Sequence, residues 1–232
     1  MPPGREPLVT AEAAAEPRPR GGEKPGRIVL WGRLSSINVQ KVAWCLDEVG
    51  LDYERVDAGG AHGVVNTPEY RRLNPNGLIP VIEVDDFVLW ESNAIVRYLA
   101  SEYGGSGLWP RESRARADAD RWMDWQATSA SPGLRDAFLG LIRTPPAQRN
   151  HDAVARSMAA ADACATILDE HLAGRSFLTG DIFTTADIVV GAHAHRWLNM
   201  PMERRPKPRL EEWYLRLKAR PGAATILNLP VT

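Results

Sequence analysis

NPNGLIPVIEVDDFVLWESNAIVRYL, residues 74–99, changes its hydrophobic period twice, and those changes decide the fold. Asn74-Pro75-Asn76-Gly77 is turn chemistry: proline presets φ, and asparagine and glycine accept tight backbone. Pro80 to Val84 and Phe87 to Leu89 form two short apolar strands joined at Asp85-Asp86, a hairpin. Glu91-Ser92-Asn93 then leads into Ala94-Ile95-Val96-Arg97-Tyr98-Leu99, which reads as a helix. The stretch is a ββα unit.

Upstream, Arg27-Ile28-Val29-Leu30-Trp31 is a short apolar run ending at Gly32, a buried strand. Val39, Val42, Leu46 and Val49 recur at helical spacing, and Gly50 closes that helix. Leu51 to Val56 alternates like a strand. Thr67-Pro68-Glu69 opens a helix, since threonine caps well and proline suits the first turn. The order over residues 27–104 is therefore βαβαββα. Beyond Tyr103-Gly104-Gly105-Ser106-Gly107 no convincing strand returns. Residues 113–142 are helical, with Trp122 and Trp125 three apart. Residues 150–172 carry Val154, Met158, Ala161, Ala165, Leu168 and Leu172 on one stripe. Phe183-Thr184-Thr185-Ala186-Asp187-Ile188 reads as a capping box with a hydrophobic staple, Thr184 as N-cap and Asp187 as its reciprocal partner. Leu210, Trp213 and Leu217 mark a last helix before Arg220-Pro221-Gly222. The expectation is an α/β domain (27–104), a linker (105–112) and an all-helical domain (113–232).

The bulk numbers narrow the functional classes. Lys and Arg total 28 against 29 Asp and Glu, so no global charge favours nucleic acid or an anionic membrane. No apolar run approaches the roughly 18 residues of a membrane span. Cys45 and Cys164 lie far apart, which suits a reducing cytoplasm better than a disulfide framework. Residues 1–26 hold proline, glycine, alanine and mixed charges with little to bury. They read as a disordered tail without the apolar core of a signal peptide.

LSSIN (34–38) at the first strand–helix junction, NPNGLIPVIEV with LWESNAIVRYL, and FTTADI (183–188) now stand together in order. From about residue 27 the chain resembles the cytosolic glutathione transferases. The pattern NPxGxxPxL followed by ESxAIxxYL is specific, because a chance match to both at this spacing is improbable. The resemblance implies a thioredoxin-like N-terminal domain and a cis peptide before Pro80. It implies a cytoplasmic detoxifying transferase that joins glutathione, as co-substrate and with no metal, to a hydrophobic electrophile. It also implies a homodimer in which Glu91–Tyr98 faces the first long helices of the partner. Serine at the junction places it nearest the theta- and phi-like classes.

Where a thioredoxin-type redox protein has C-x-x-C, this chain has Ser35-Ser36-Ile37-Asn38, so the sulfur arrives with the ligand. A free thiol with pKa near 8.5 is mostly protonated at neutral pH. A hydroxyl donor at a helix N-terminus favours its thiolate. The resemblance matches the catalytic position to Ser36, with Asn38 as a supporting amide and Ser35 as the alternative. Both serines could instead simply cap the helix. By the same resemblance the backbone of Ile79, before Pro80, meets the cysteinyl part of glutathione. Glu91 and Ser92 meet the γ-glutamyl amine and carboxylate at a helix start. For the glycyl carboxylate the candidates are Asn66, then His62 and Arg33, where the family more often has basic residues. Met123, Arg135, His195 and Trp197 are candidates for the acceptor pocket. His193 and His195 lie about 200° apart around a helix and cannot share a metal. The eight tryptophans fall mostly at helical spacing, as core residues do. Two other readings remain at this point: a non-catalytic binding or scaffold relative, and a glutathione-dependent reductase or isomerase.

Overall fold

The computed structural model describes residues 24–232, so residues 1–23 of the expected tail lie outside the described residues. The N-terminal domain runs β1 (Ile28–Trp31), α1 (Ile37–Glu48), β2 (Glu54–Val56), α2 (Pro68–Leu73), β3 (Val81–Val84), β4 (Phe87–Trp90) and α3 (Ser92–Tyr103). The strand order is β2-β1-β3-β4. β1 is parallel to β2, with Val29 opposite Glu54, and antiparallel to β3, with Leu30 opposite Ile82. β4, apolar in sequence, stays partly exposed at the edge, whereas the two central strands, β1 and β3, are more deeply buried. Their period of two sends Ile28, Leu30, Ile82 and Val84 toward α1 and α3. Val81 and Trp31 turn to the other face, where they meet Tyr70 of α2. There the Trp31 indole donates to Glu83 Oε1 at 2.6 Å. Thr67 caps α2 by accepting from the Tyr70 amide at 3.2 Å.

The observed order is the predicted βαβαββα. β2 is shorter than the alternation suggests, because only Glu54 to Val56 reach the ladder of β1. The expected linker is not a loose spacer. Gly105–Leu108 forms one helical turn, α4, and Leu108 and Trp109 pack into the main core.

The helical domain comprises α5 (Ser113–Trp125), α6 (Ser131–Phe138), α7 (His151–His171), α8 (Thr185–Asn199), α9 (Pro208–Lys218) and α10 (Ala224–Leu227). π turns at Gln126–Ala130 and Leu139–Arg143 extend α5 into α6 and beyond it, so the expected long helix is one path with two local irregularities. α8 is buried almost throughout, since it packs on α1, α3, α5 and α9. Gly191 permits this: a Cβ there would lie 2.6 Å from Leu217 Cδ1 and 2.9 Å from Trp44 Cη2. Arg220 then ties the domains together with a two-pronged bond to Glu48, at 2.9 and 2.8 Å.

The capping box forms, and its acid carries more than a cap. Asp187 is fully buried and accepts from the amides of Thr184 and Leu178 and from the Trp213 indole, each at 2.9 Å. Burial pushes its carboxyl up to about 6, while those donors favour the ionised form. A lone cap is worth about 0.5–2 kcal/mol. Asp187→Ala leaves three buried donors unpaired, so the expected loss is about 3–5 kcal/mol in urea denaturation, with glutathione affinity unchanged. A loss under about 1 kcal/mol would contradict this account of the node.

Candidate active site

Gly32 ends β1 at φ 144°, where a Cβ would sit 2.4 Å from Val39 Cγ2. This close approach turns the chain straight into α1. Gln40 Nε2 reaches back to the Leu34 carbonyl at 2.8 Å and fixes the turn. Ser36 is the N-cap residue of α1 by backbone conformation, φ −91° and ψ 122°, yet its hydroxyl makes no cap bond. Both Ser35 and Ser36 are half-buried. The Ser36 hydroxyl is thus available at a helix end that carries positive potential.

The Ile79-Pro80 peptide is cis, as the resemblance implies. The loop before it is held by Tyr70 Oη and Asn74 Nδ2, both donating to the Leu78 carbonyl, at 2.8 and 2.9 Å. Among the described residues the backbone N–H and C=O of Ile79 take no partner. Glu91 precedes α3 at φ 72° and ψ 109°, a sparsely populated conformation costing of the order of 1–3 kcal/mol. Strain of this kind gathers at functional positions. Ser92 follows as the first, buried residue of α3.

A cleft of about 740 Å³ opens between the domains. Ile37, Asn38 and Lys41 of α1 and the head of α3 from Glu91 form one wall. Leu134, Arg135 and Phe138 of α6, with His193 and Arg196 of α8, form the other. The structure therefore brings Asn38, Glu91, Ser92 and Arg135 together, with the Ser35–Ser36 turn adjoining.

Other candidates lie elsewhere. Met123 and Trp197 are core residues, and the Met123 carbonyl accepts from Asn93 Nδ2 at 2.8 Å. His195 is also core: Nδ1 pairs with Tyr214 Oη at 2.7 Å and Nε2 with the Leu229 carbonyl at 2.9 Å. The cause is helical phase. His193 faces the cleft, so His195, two residues on, must face away. His62 sits exposed in the short turn Gly60–His62, and Asn66 Oδ1 accepts from Arg71 at 3.0 Å; neither lines the cleft. Arg33 lies over Gly59 and Gly60.

Two cleft residues escape a reading of the sequence. Lys41 falls on a helix that looks amphipathic, where lysine normally marks the wet face. Here the helical domain covers that face, and Lys41 is 2% exposed, donating to Asn93 Oδ1 at 3.2 Å. Burial first, then Arg196, pull its ammonium down to about 7, against the pull of Glu91. Arg196 sits in α8 without any local motif. Burial, Arg143 and Arg33 lower it to about 10.

Residues 27–101 match the family model described as glutathione S-transferase, N-terminal domain, and residues 152–216 match its C-terminal domain. Glutathione S-transferase GstB of Escherichia coli (strain K12) is 40% identical over 88% of this chain and 100% of its own length. The chain belongs to the glutathione S-transferase family. Glutathione S-transferase 3 of Zea mays is 32% identical, covering 87% of this chain and 94% of that protein. A crystal structure of the theta class glutathione S-transferase of Xanthomonas axonopodis pv. citri, with glutathione bound, superposes with a TM-score of 0.86. It is 41% identical and covers 90% of this chain and all of that one. This glutathione S-transferase accordingly pairs a thioredoxin-like domain with a helical one.

Lys41 gives the enzyme a pH signature. Its folded pKa, about 7, lies below the ordinary 10.5. Below pH 7 the ammonium is charged folded and unfolded, and the folded state bears its full burial cost. Between pH 7 and 10.5 the folded state sheds that proton first, and the cost is relieved. The stabilisation gained by Lys41→Met should therefore be largest at pH 6 and shrink by pH 9.5, compared by urea denaturation of both proteins. A difference independent of pH would show that Lys41 keeps an ordinary pKa.

Proposed function

We propose that this transferase conjugates glutathione through its thiolate to an electrophilic small molecule, with Ser36 as the donor that holds the thiolate. The observation that carries the reading is the Ser36 hydroxyl, placed at the N-terminus of α1 and not used for capping. Asn38 lies one turn-step further on the cleft wall and supports the same anion. The unpaired backbone of Ile79 suits the cysteinyl amide and carbonyl. Ser92, at the N-terminus of α3, suits the γ-glutamyl carboxylate, with Glu91 for the amine. The glycyl carboxylate falls to the α2 side, where Asn66 and His62 are the candidates and Arg33 stands nearby.

Rate enhancement then comes from ionising the thiol and holding both substrates together. Each unit of thiol pKa depression needs about 1.4 kcal/mol of preference for the thiolate, within reach of one charge-assisted bond plus a helix end. A protein thiol is poorly placed to share the work. Cys45 is wholly buried, and burial with the nearby Glu48 pushes its thiol up. The apolar part of the cleft, Ile37, Leu134, Phe138 and Leu139, suits a hydrophobic electrophile. Cytoplasmic residence fits the two free cysteines; among the described residues no helix is long and apolar enough to cross a membrane.

Ser36→Ala should raise the bound thiol's pKa by about one unit and cut turnover by about 10²-fold, as removal of one preorganised donor does. Thiolate absorbance against pH, in the glutathione complex, reads the first effect. An unchanged curve, or a larger effect from Ser35→Ala, rules out Ser36.

We propose a homodimer as the working form. Edge strand β4 leaves Phe87 and Trp90 43% and 37% exposed, and Phe87 meets Tyr98 in a tilted contact with centroids 5.1 Å apart, so an aromatic patch is left facing water. A self-complementary patch closes as a pair. Light scattering should give about twice 25.6 kDa, and the chain lacking residues 1–26 should still give twice its own mass. A monomer at micromolar concentration would contradict it.

A further inference from the structure

Arg196 is the centre of a group of like charges at the cleft. Its Nη2 donates to the Ser35 carbonyl at 3.3 Å, which places the guanidinium beside the Ser35–Ser36 turn. Its Cζ lies 3.9 Å from the centroid of the Phe138 ring, and Arg143 Cζ approaches the same ring at 5.3 Å. Arg33, Arg143 and Lys41 all lie within range to repel it or be repelled by it. The acids of the cleft do not answer these charges. Asp124, with Asp120, is taken by Arg97 at 2.6 Å, and Arg135 lies 3.6 Å from Asp136. Glu91 lies near enough to Lys41 to favour its charged form. Among the described residues none of Arg33, Lys41 and Arg196 forms an ion pair, while Arg143 Nη2 donates to Thr232 O at 2.6 Å.

Arg196, largely buried and with no acid beside it, bears a desolvation cost that an anion in the occupied cleft would offset. Glutathione's own carboxylates have places at the head of α3 and on the α2 side. Arg196 instead reaches in from the helical domain, between the apolar surfaces of Phe138 and Leu134 and the serine turn. A planar guanidinium at such a spot fits a carboxylate better than a point charge would.

Building on the glutathione reading above, we infer that the electrophile this enzyme takes carries a carboxylate, seated on Arg196 with its apolar body against Phe138. In the reaction the glutathione thiolate forms the carbon–sulfur bond, and the leaving group departs with the electron pair of its bond to that carbon. Arg196 makes no bond; it orients the acceptor and offsets its charge beside the thiolate.

The test compares S-(4-carboxy-2-nitrophenyl)glutathione with S-(4-carbamoyl-2-nitrophenyl)glutathione, two conjugates that differ only in a carboxylate against a carboxamide. Calorimetry gives the affinity of each, and of glutathione itself, for the wild type, Arg196→Gln and Arg196→Lys. The wild type should bind the carboxylate conjugate about 10-fold or more tighter than the carboxamide, an effect that weakens with salt. The preference should fall to near unity in Arg196→Gln and return in part in Arg196→Lys. The wild-type ratio stands by itself should a variant fail to fold. Glutathione binding with no preference between the conjugates would overturn the inference alone. Equal weakening of both conjugates by Arg196→Gln would overturn it too, assigning the charge to glutathione. Absence of glutathione binding to the wild type would overturn the glutathione reading and this inference together.

Discussion

Trp44 of α1 lies against Gly191 of α8 with no room for a methyl group between them, and the site depends on that contact. It presses the helical domain onto the thioredoxin-like one along α1, burying that helix nearly all round from Val39 to Leu46. Glu48 and Arg220 pin the C-terminal end of α1 to the other domain. The N-terminal end is left at the boundary, where the two domains diverge into the cleft. Ser36 therefore stands on a helix that is clamped along its length, which suits the proposed donor role, since a fixed donor needs little reorganisation when charge develops beside it.

The same clamp explains the charges. A lysine on the outer face of a thioredoxin-like helix would ordinarily be wet. With α8 laid over it, Lys41 lines the same cleft as Arg196 and His193; burial first, then Arg196, disfavours the charged form of Lys41, and burial with both cations does the same to His193. The N-terminal end of α1 is thus electropositive both from its own backbone and from side chains supplied by the second domain. Stability is given up there and recovered at nodes such as Asp187, where one carboxylate joins the start of α8, the Leu178 loop and α9.

Much of this architecture is readable from local sequence rules. The alternation of Ile28, Leu30, Ile82 and Val84 gives the inner face of the sheet, Thr67-Pro68 gives the start of α2, and Thr184 with Asp187 gives the start of α8. Each depends on residues close in sequence. The site is less legible in proportion to its dependence on distant packing. Ser36, Ile79 and the Glu91-Ser92 pair sit at element ends that motifs can mark. Lys41 and Arg196 gain their character only from each other across two domains, and no spacing announces that. His195, Met123 and Trp197 err in the opposite sense: their residue types suit a pocket, but the phase of their helices turns them into the core. Asp187 shows a third case, since its cap was visible while its bonds to Leu178 and Trp213 required the fold.

The central claim is that Ser36, on this clamped helix, holds the glutathione thiolate. A crystal structure of the enzyme with glutathione tests it most directly. The account predicts the sulfur within hydrogen-bonding reach of Ser36 Oγ, about 3–3.5 Å, the cysteinyl amide paired with the Ile79 backbone and the γ-glutamyl carboxylate at Ser92. A sulfur bonded to Ser35 instead, or a Ser36 hydroxyl turned inward to cap α1, would contradict it.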